Sequence, residues 1–157
     1  MMSLAFDRHD HAACRRDALA AAEAVCAERG ERLTPLRRRT LEILLESHVA
    51  LGAYDVLARL AAEGFGSQPP VAYRALHFLV ERGLAHRVEG LQAFVACARP
   101  GAGPHEAAFV VCRLCRRVAE EPAGAPPPRP DGFAVERRVV EAQGLCAACR
   151  DGAGEAP

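Results

Sequence analysis

Apolar residues recur at helical spacing through the first half of the chain and in short strand-like runs through the second. From Arg15 to Arg29 the positions Ala18, Leu19, Ala22, Val25 and Cys26 share one face, and Gly30 ends the run. Thr34-Pro35 opens the next helix as an N-cap followed by proline at the first helical position, with Leu41, Leu44 and Leu45 turned inward. Ala53 to Glu63 repeats the pattern through Val56, Leu57 and Leu60 and closes at Gly64. A fourth helix starts at Pro69-Pro70 and stops at Gly83. Ala72, Ala75, Leu76, Leu79 and Val80 form its apolar stripe, leaving Tyr73, Arg74, His77 and Glu81 on the other face. Two short segments, Leu84–Val88 and Ala93–Cys97, then flank Glu89-Gly90-Leu91-Gln92 in the pattern of a β-hairpin. Helices followed by a hairpin predict a winged helix, with the fourth helix placed for the major groove of DNA.

A Pro/Gly-rich stretch, residues 99–104, separates a second and smaller unit. There, apolar Ala107–Val111 leads to a Cys-x-x-Cys turn, then Arg117–Glu120, a proline-rich run Pro122–Pro130, an expected strand over Phe133–Glu141 and a second Cys-x-x-Cys. The proline-rich run cannot be a helix, because proline lacks the N–H and clashes with the preceding turn. The expected layout is a flexible N-terminus over 1–14, a winged helix over 15–98, a linker over 99–104, a second domain over 105–150 and a tail over 151–157. The fold class is α+β, a winged helix with a small C-terminal α/β unit.

Composition narrows the function. Half of the 157 residues are apolar and a quarter charged, ordinary for a globular protein. No apolar stretch approaches the roughly 20 residues of a membrane span, and Met1 to Arg16 lacks the layout of a signal peptide. A cytoplasmic address and no membrane partner are therefore expected. Residues 1–90 hold 12 Arg against 12 acids and residues 91–157 hold 8 against 8. With no global basic field, nucleic-acid binding must come from local placement. Seven cysteines in a reducing compartment point to metal or redox chemistry rather than disulfides.

Cys112-x-x-Cys115 and Cys146-x-x-Cys149 have the spacing of a tetrahedral four-thiolate zinc site, each pair bending a turn around one edge of the metal. The rivals are a thioredoxin-like dithiol, which wants a single pair before a helix, and two unrelated buried pairs. His86, Cys97, His105 and Glu120 form a less obvious set. Taken singly they are compatible with a hairpin surface residue, a buried strand thiol, a linker residue and a solvated acid. Cys26 lies on a core face and reads as packing, Cys14 has no partner spacing, and His9, His11, His48 and His77 are surface or groove candidates.

Several stretches resemble the ferric-uptake-regulator superfamily, and within it the zinc uptake regulator branch. They are Ala22–Arg29, Arg32-Leu-Thr-Pro35, Ala53-Tyr-Asp-Val-Leu57, Tyr73-Arg-Ala-Leu76, Gly83–Glu89 and Val139-Val-Glu-Ala-Gln-Gly-Leu-Cys146-Ala-Ala-Cys149, spread over residues 16–150. The resemblance implies a C-terminal domain that dimerises and holds zinc, with Cys112, Cys115, Cys146 and Cys149 on a structural ion. It also implies a regulatory zinc on His86, Cys97, His105 and Glu120, making two zinc ions per protomer. Tyr54 and Arg74 match DNA-contacting positions, Tyr73 beside Arg74 is a further DNA-binding candidate, and Arg37 and Arg38 are read as backbone contacts. The expected partners are a second copy of the chain and double-stranded operator DNA, an A·T-rich inverted repeat, with no small-molecule substrate. The chain departs from the family's pattern in four places. Val71-Ala72 stand where Thr-Val is usual, Leu36 replaces Gln, Arg116 replaces Gly, and the proline-rich run replaces an amphipathic helix.

Two imidazoles, a thiolate and a carboxylate suit zinc better than iron or manganese, whose sensors favour oxygen and imidazole. Together with the function that the resemblance implies, this makes a zinc-responsive repressor of zinc-uptake genes the leading expectation. A regulator of the same superfamily sensing iron or manganese is the alternative; a zinc-ribbon interaction module or a zinc-dependent hydrolase is more remote. The deaminase signature is absent, and no enzyme activity is expected.

Overall fold

The computed structural model describes residues 10–100 and 105–152. Residues 1–9 of the expected N-terminus (His9 among them), 101–104 of the linker and 153–157 of the tail lie outside the described residues.

Four helices come first: α1 His11–Glu28, α2 Pro35–Leu45, α3 Ala53–Ala62 and α4 Pro69–Glu81. The first starts four residues earlier than its apolar pattern marks. Asp10 is the reason, since its side chain accepts from the Ala13 N–H at 3.1 Å and caps the helix. Thr34 caps α2 from its hydroxyl, which accepts from the Arg37 N–H at 3.4 Å. Gly83, at φ +69, ends α4 in the left-handed conformation that glycine adopts without strain, and the chain turns into the wing. One core serves all four helices. Ala22 and Cys26 of α1 meet Leu41 and Leu44 of α2, Val56 and Leu60 of α3, and Leu76 and Leu79 of α4, each no more than 2% exposed.

The wing is an antiparallel hairpin of β1 Ala85–Val88 and β2 Ala93–Ala96, with His86 opposite Val95. A single 3-10 turn, Glu89–Leu91, joins the strands, and Gln92 closes it at φ +49. Helices and hairpin together make the expected winged helix.

The C-terminal half is a three-stranded sheet in the order β4-β3-β5, built from β3 Ala107–Cys112, β4 Val118–Pro122 and β5 Val140–Gly144, with a short helix α5 Ala147–Arg150. β3 pairs antiparallel with β4 and parallel with β5. The expected strand over Phe133–Glu141 is corrected to Val140–Gly144. Residues 133–139 find no neighbouring strand to complete a ladder, and Phe133, Val135 and Val139 stay exposed. The proline-rich run is neither helix nor strand beyond Pro122.

The two halves share a second core. Val88, Ala93 and Val95 of the wing and Ala50 of the α2–α3 loop pack with Phe109, Val111 and Val118 of the sheet. Backbone bonds join them as well: Ala50 N–H donates to Arg116 O at 3.0 Å, and Val118 N–H to His48 O at 2.9 Å.

Candidate metal centres and nucleic-acid face

The four paired cysteines converge at the far end of the sheet. Cys112 ends β3, Cys115 lies in the turn after it, and Cys146 and Cys149 bracket the start of α5. Their sulfurs all lie within 4.8 Å of one another. Thiolates bound to one tetrahedral zinc stand about 3.8 Å apart, given a Zn–S distance near 2.3 Å. Cys115 and Cys146 sulfurs are 3.9 Å apart, so the set fits such an ion. Burial opposes ionisation of Cys112, but backbone N–H groups of Cys115, Cys146 and Leu114 overcome it and lower its thiol to about 6. Burial raises Cys115, and burial with the neighbouring thiols raises Cys149 to about 12. Ionising Cys115 and Cys149 beside it calls for a cation to hold the charge. Arg116 follows this turn at φ +60, a conformation that costs a side-chain-bearing residue about 1–2 kcal/mol. The glycine usual in the family at this position fits that angle without cost.

The second set forms a cluster across the joint between the halves. His86 comes from β1, Cys97 follows β2, His105 precedes β3 and Glu120 sits on β4. Glu120 is the hub. Its Oε1 lies 2.7 Å from His105 Nε2 and 3.1 Å from His86 Nε2, and the Cys97 sulfur is 3.8 Å from both Oε1 and His105 Nε2. Its Oε2 accepts from the Ala98 N–H at 2.7 Å, which fixes the carboxylate and leaves Oε1 to the cluster. His86 Nε2 is buried yet makes no hydrogen bond of good geometry. A buried imidazole nitrogen that stands 3.1 Å from a carboxylate oxygen without good hydrogen-bond alignment, among three other donors, is what a site shaped for a cation leaves when read as protein alone. A cavity of about 770 Å³, lined in part by Cys14, His48, Cys97 and Glu120, gives access to it.

Burial works to raise the Glu120 carboxyl, but the close approach of His86, the Ala98 N–H and the hydrogen bond of His105 hold it at about 2. Burial, then the Glu120 charge, push the Cys97 thiol up to about 12. The metal-free cluster therefore contains a carboxylate and a neutral thiol at neutral pH.

On the winged helix, Tyr73, Arg74 and His77 project from the exposed face of α4 and line an open groove with Arg37, Phe78 and Arg82. Arg37 sits over Phe78, its guanidinium carbon 3.6 Å from the ring centre. Tyr54 stands 67% exposed in the first turn of α3, outside this groove. Arg38 pairs with Glu23 and with Glu42, the latter at 3.2 Å, so it must leave two carboxylates to meet a phosphate. Sequence reading passed over Arg82, which bonds Glu31 through two nitrogens at 2.7 Å and also flanks Phe78.

Comparison with known proteins decides the family. No family model matches the chain. It is 39% identical over 140 residues to the zinc uptake regulation protein of Escherichia coli strain K12, a match covering 85% of this chain and 82% of that protein. The chain belongs to the zinc uptake regulator branch of the ferric-uptake-regulator superfamily. Among solved structures, a zinc uptake regulator complexed with zinc and DNA superposes with a TM-score of 0.79 at 36% identity, over 88% of this chain and 96% of that one. Holo XcZur gives 0.73 at 31% identity over 86% and 98%. Apo XcZur gives only 0.51 at 32% identity over 88% and 99%. Identity and coverage barely change between those two, so the difference is one of shape. The overall shape of this chain is nearer to that of holo XcZur.

The cluster at Glu120 makes a measurable demand. A neutral Cys97 thiol must lose its proton to ligate, so zinc titrated into the metal-free protein is expected to release at least one proton at this site. Affinity should then rise about tenfold per pH unit across neutrality and fall as the pH drops. Calorimetry in buffers of different ionisation enthalpy counts the protons; none released at the second equivalent would contradict Cys97 as a ligand.

Proposed function

We propose that this family member is a zinc-responsive transcriptional repressor that binds A·T-rich inverted-repeat operators as a homodimer. The observation that carries the reading is the cluster at Glu120, whose four donors come from both sides of the joint between the winged helix and the C-terminal sheet. Bound zinc would supply the positive charge that lets a thiolate and a carboxylate share one buried site. His86 and Cys97 then hold the wing, and His105 and Glu120 hold the sheet. Moving such a joint from mostly open to mostly closed takes about 5.5 kcal/mol of differential binding, within reach of a multi-ligand zinc site.

Two zinc ions per protomer follow on this reading, one on Cys112, Cys115, Cys146 and Cys149 and one on His86, Cys97, His105 and Glu120. The thiolate in the second set favours zinc over iron or manganese. Each set offers four protein donors, which fills a tetrahedral ion and leaves no open position for a hydrolytic water. That supports a regulator over an enzyme, working in the cytoplasm beside the DNA. The exposed face of α4 supports DNA binding over a bare zinc-ribbon module, with Arg74 set to read base edges. A second copy of the chain is the natural cover for Val110, Phe133, Val135 and Val139 of the C-terminal half, all at least 44% exposed.

Labelled operator DNA titrated at controlled free zinc tests this directly. The wild type should gain affinity as the second site fills, whereas Cys97→Ser should stay folded, keep the four-cysteine zinc and gain nothing. A Cys97→Ser protein that switches at normal zinc levels would remove the regulatory assignment.

In the same assay, Arg74→Ala should lose roughly 1–3 kcal/mol of discrimination between operator and random DNA, the weight of one arginine reading a base pair. Equal losses on both DNAs would instead make Arg74 a backbone contact.

A further inference from the structure

A carboxylate that the metal cluster does not use meets the tip of the wing. Glu141 on β5 accepts the Glu89 N–H at 2.6 Å through Oε1 and the Gly90 N–H at 2.8 Å through Oε2. It thereby caps the 3-10 turn Glu89–Leu91, whose first N–H groups have no partner within the turn. Arg137 adds an ion pair to Glu89 at 3.0 Å. The approach is close: a Cβ on Gly90 would stand 2.3 Å from Gln143 Nε2 and 2.8 Å from a Glu141 oxygen.

Register gives this contact its meaning. Phe109 on β3 pairs with Glu120 on β4 and with Glu141 on β5. The two carboxylates therefore occupy one rung of the sheet, either side of Phe109, about 10 Å apart at the usual strand spacing. Phe109 lies against the His86 ring, with centres 5.3 Å apart. Glu120 reaches the wing at His86, and Glu141 reaches it three residues further along the same hairpin. Alongside the shared apolar core, a second polar hold near the tip of the wing narrows the swing that the joint at His86 leaves open.

We infer that Glu141 is a positioning residue, a metal-free latch on the wing that fixes, together with the four-donor cluster, the angle between the winged helix and the C-terminal half. It thereby sets the aim of α4. The inference rests on reading that cluster as the zinc switch. Without the latch the cluster keeps all its ligands and still takes zinc, but it closes a looser joint. Less of the zinc-binding free energy then reaches the DNA.

The test uses the full chain loaded at both zinc sites, in the wild type, Glu141→Ala and Gly90→Ala. The second variant presses on the latch from the wing side, and Gly90 is not among the positive-φ glycines, so alanine suits its backbone. Zinc content should be unchanged in both variants, and amide exchange at Glu89 and Gly90 should speed up. Operator affinity should fall about tenfold, the scale of a hydrogen bond to a charged group. Unchanged exchange at the two amides would overturn the latch. So would faster exchange with operator affinity within about twofold of wild type, below the range in which a coupling residue acts. Failure of the switch reading looks different, since the wild type itself would then gain no operator affinity from the second zinc.

Discussion

The two halves of the protein are joined through a charge that water barely reaches. Glu120 is 3% exposed at its side chain and lies where the wing meets the C-terminal sheet. Burying a carboxylate costs several kcal/mol unless partners surround it. Here Ala98 N–H holds one oxygen, and His86 and His105 crowd the other. Glu120 is therefore stable only when residues from both halves are in place. The same dependence that makes the joint expensive to leave half-formed makes it responsive to a cation that completes it.

Packing points the same way. The inward residues of the small sheet, Phe109, Val111 and Val118, have no helix layer of their own and are buried against the wing. The proline-rich run cannot supply such a layer, and at the end of the sheet the four cysteines stand in for apolar core. A unit of about this size rarely folds alone without a metal or other staple. Wing, sheet and cysteine cluster consequently depend on one another, and α4 inherits its direction from all three.

Much of this was legible in the residues. Proline at the start of α4, glycine at its end and an unbroken apolar stripe between them define the helix by local chemistry alone. The two Cys-x-x-Cys pairs name their own partners by spacing. His86, Cys97, His105 and Glu120 needed the family resemblance, because they lie on or beside four different strands and no spacing rule links them. Glu141 lies in a stretch that carries the family resemblance, but nothing in the sequence marked its role: its partners are backbone N–H groups on a turn 51 and 52 residues away. The start of α1 was missed because a single Asp cap outweighs a weak apolar pattern. The strand at Phe133 was misplaced because alternation describes a face, not the presence of a neighbour to pair with. Arg116 stood out in the sequence only as a departure from the family's glycine, and its φ of +60 explains why glycine is usual there.

The central claim is that a cation at Glu120 locks the joint between the winged helix and the C-terminal half. Small-angle X-ray scattering on protein loaded with one and then two equivalents of zinc per chain tests it most directly. The second equivalent should compact the particle toward the arrangement described here, while the first, on the four cysteines, should not. A scattering curve that is unchanged by the second equivalent would contradict the account.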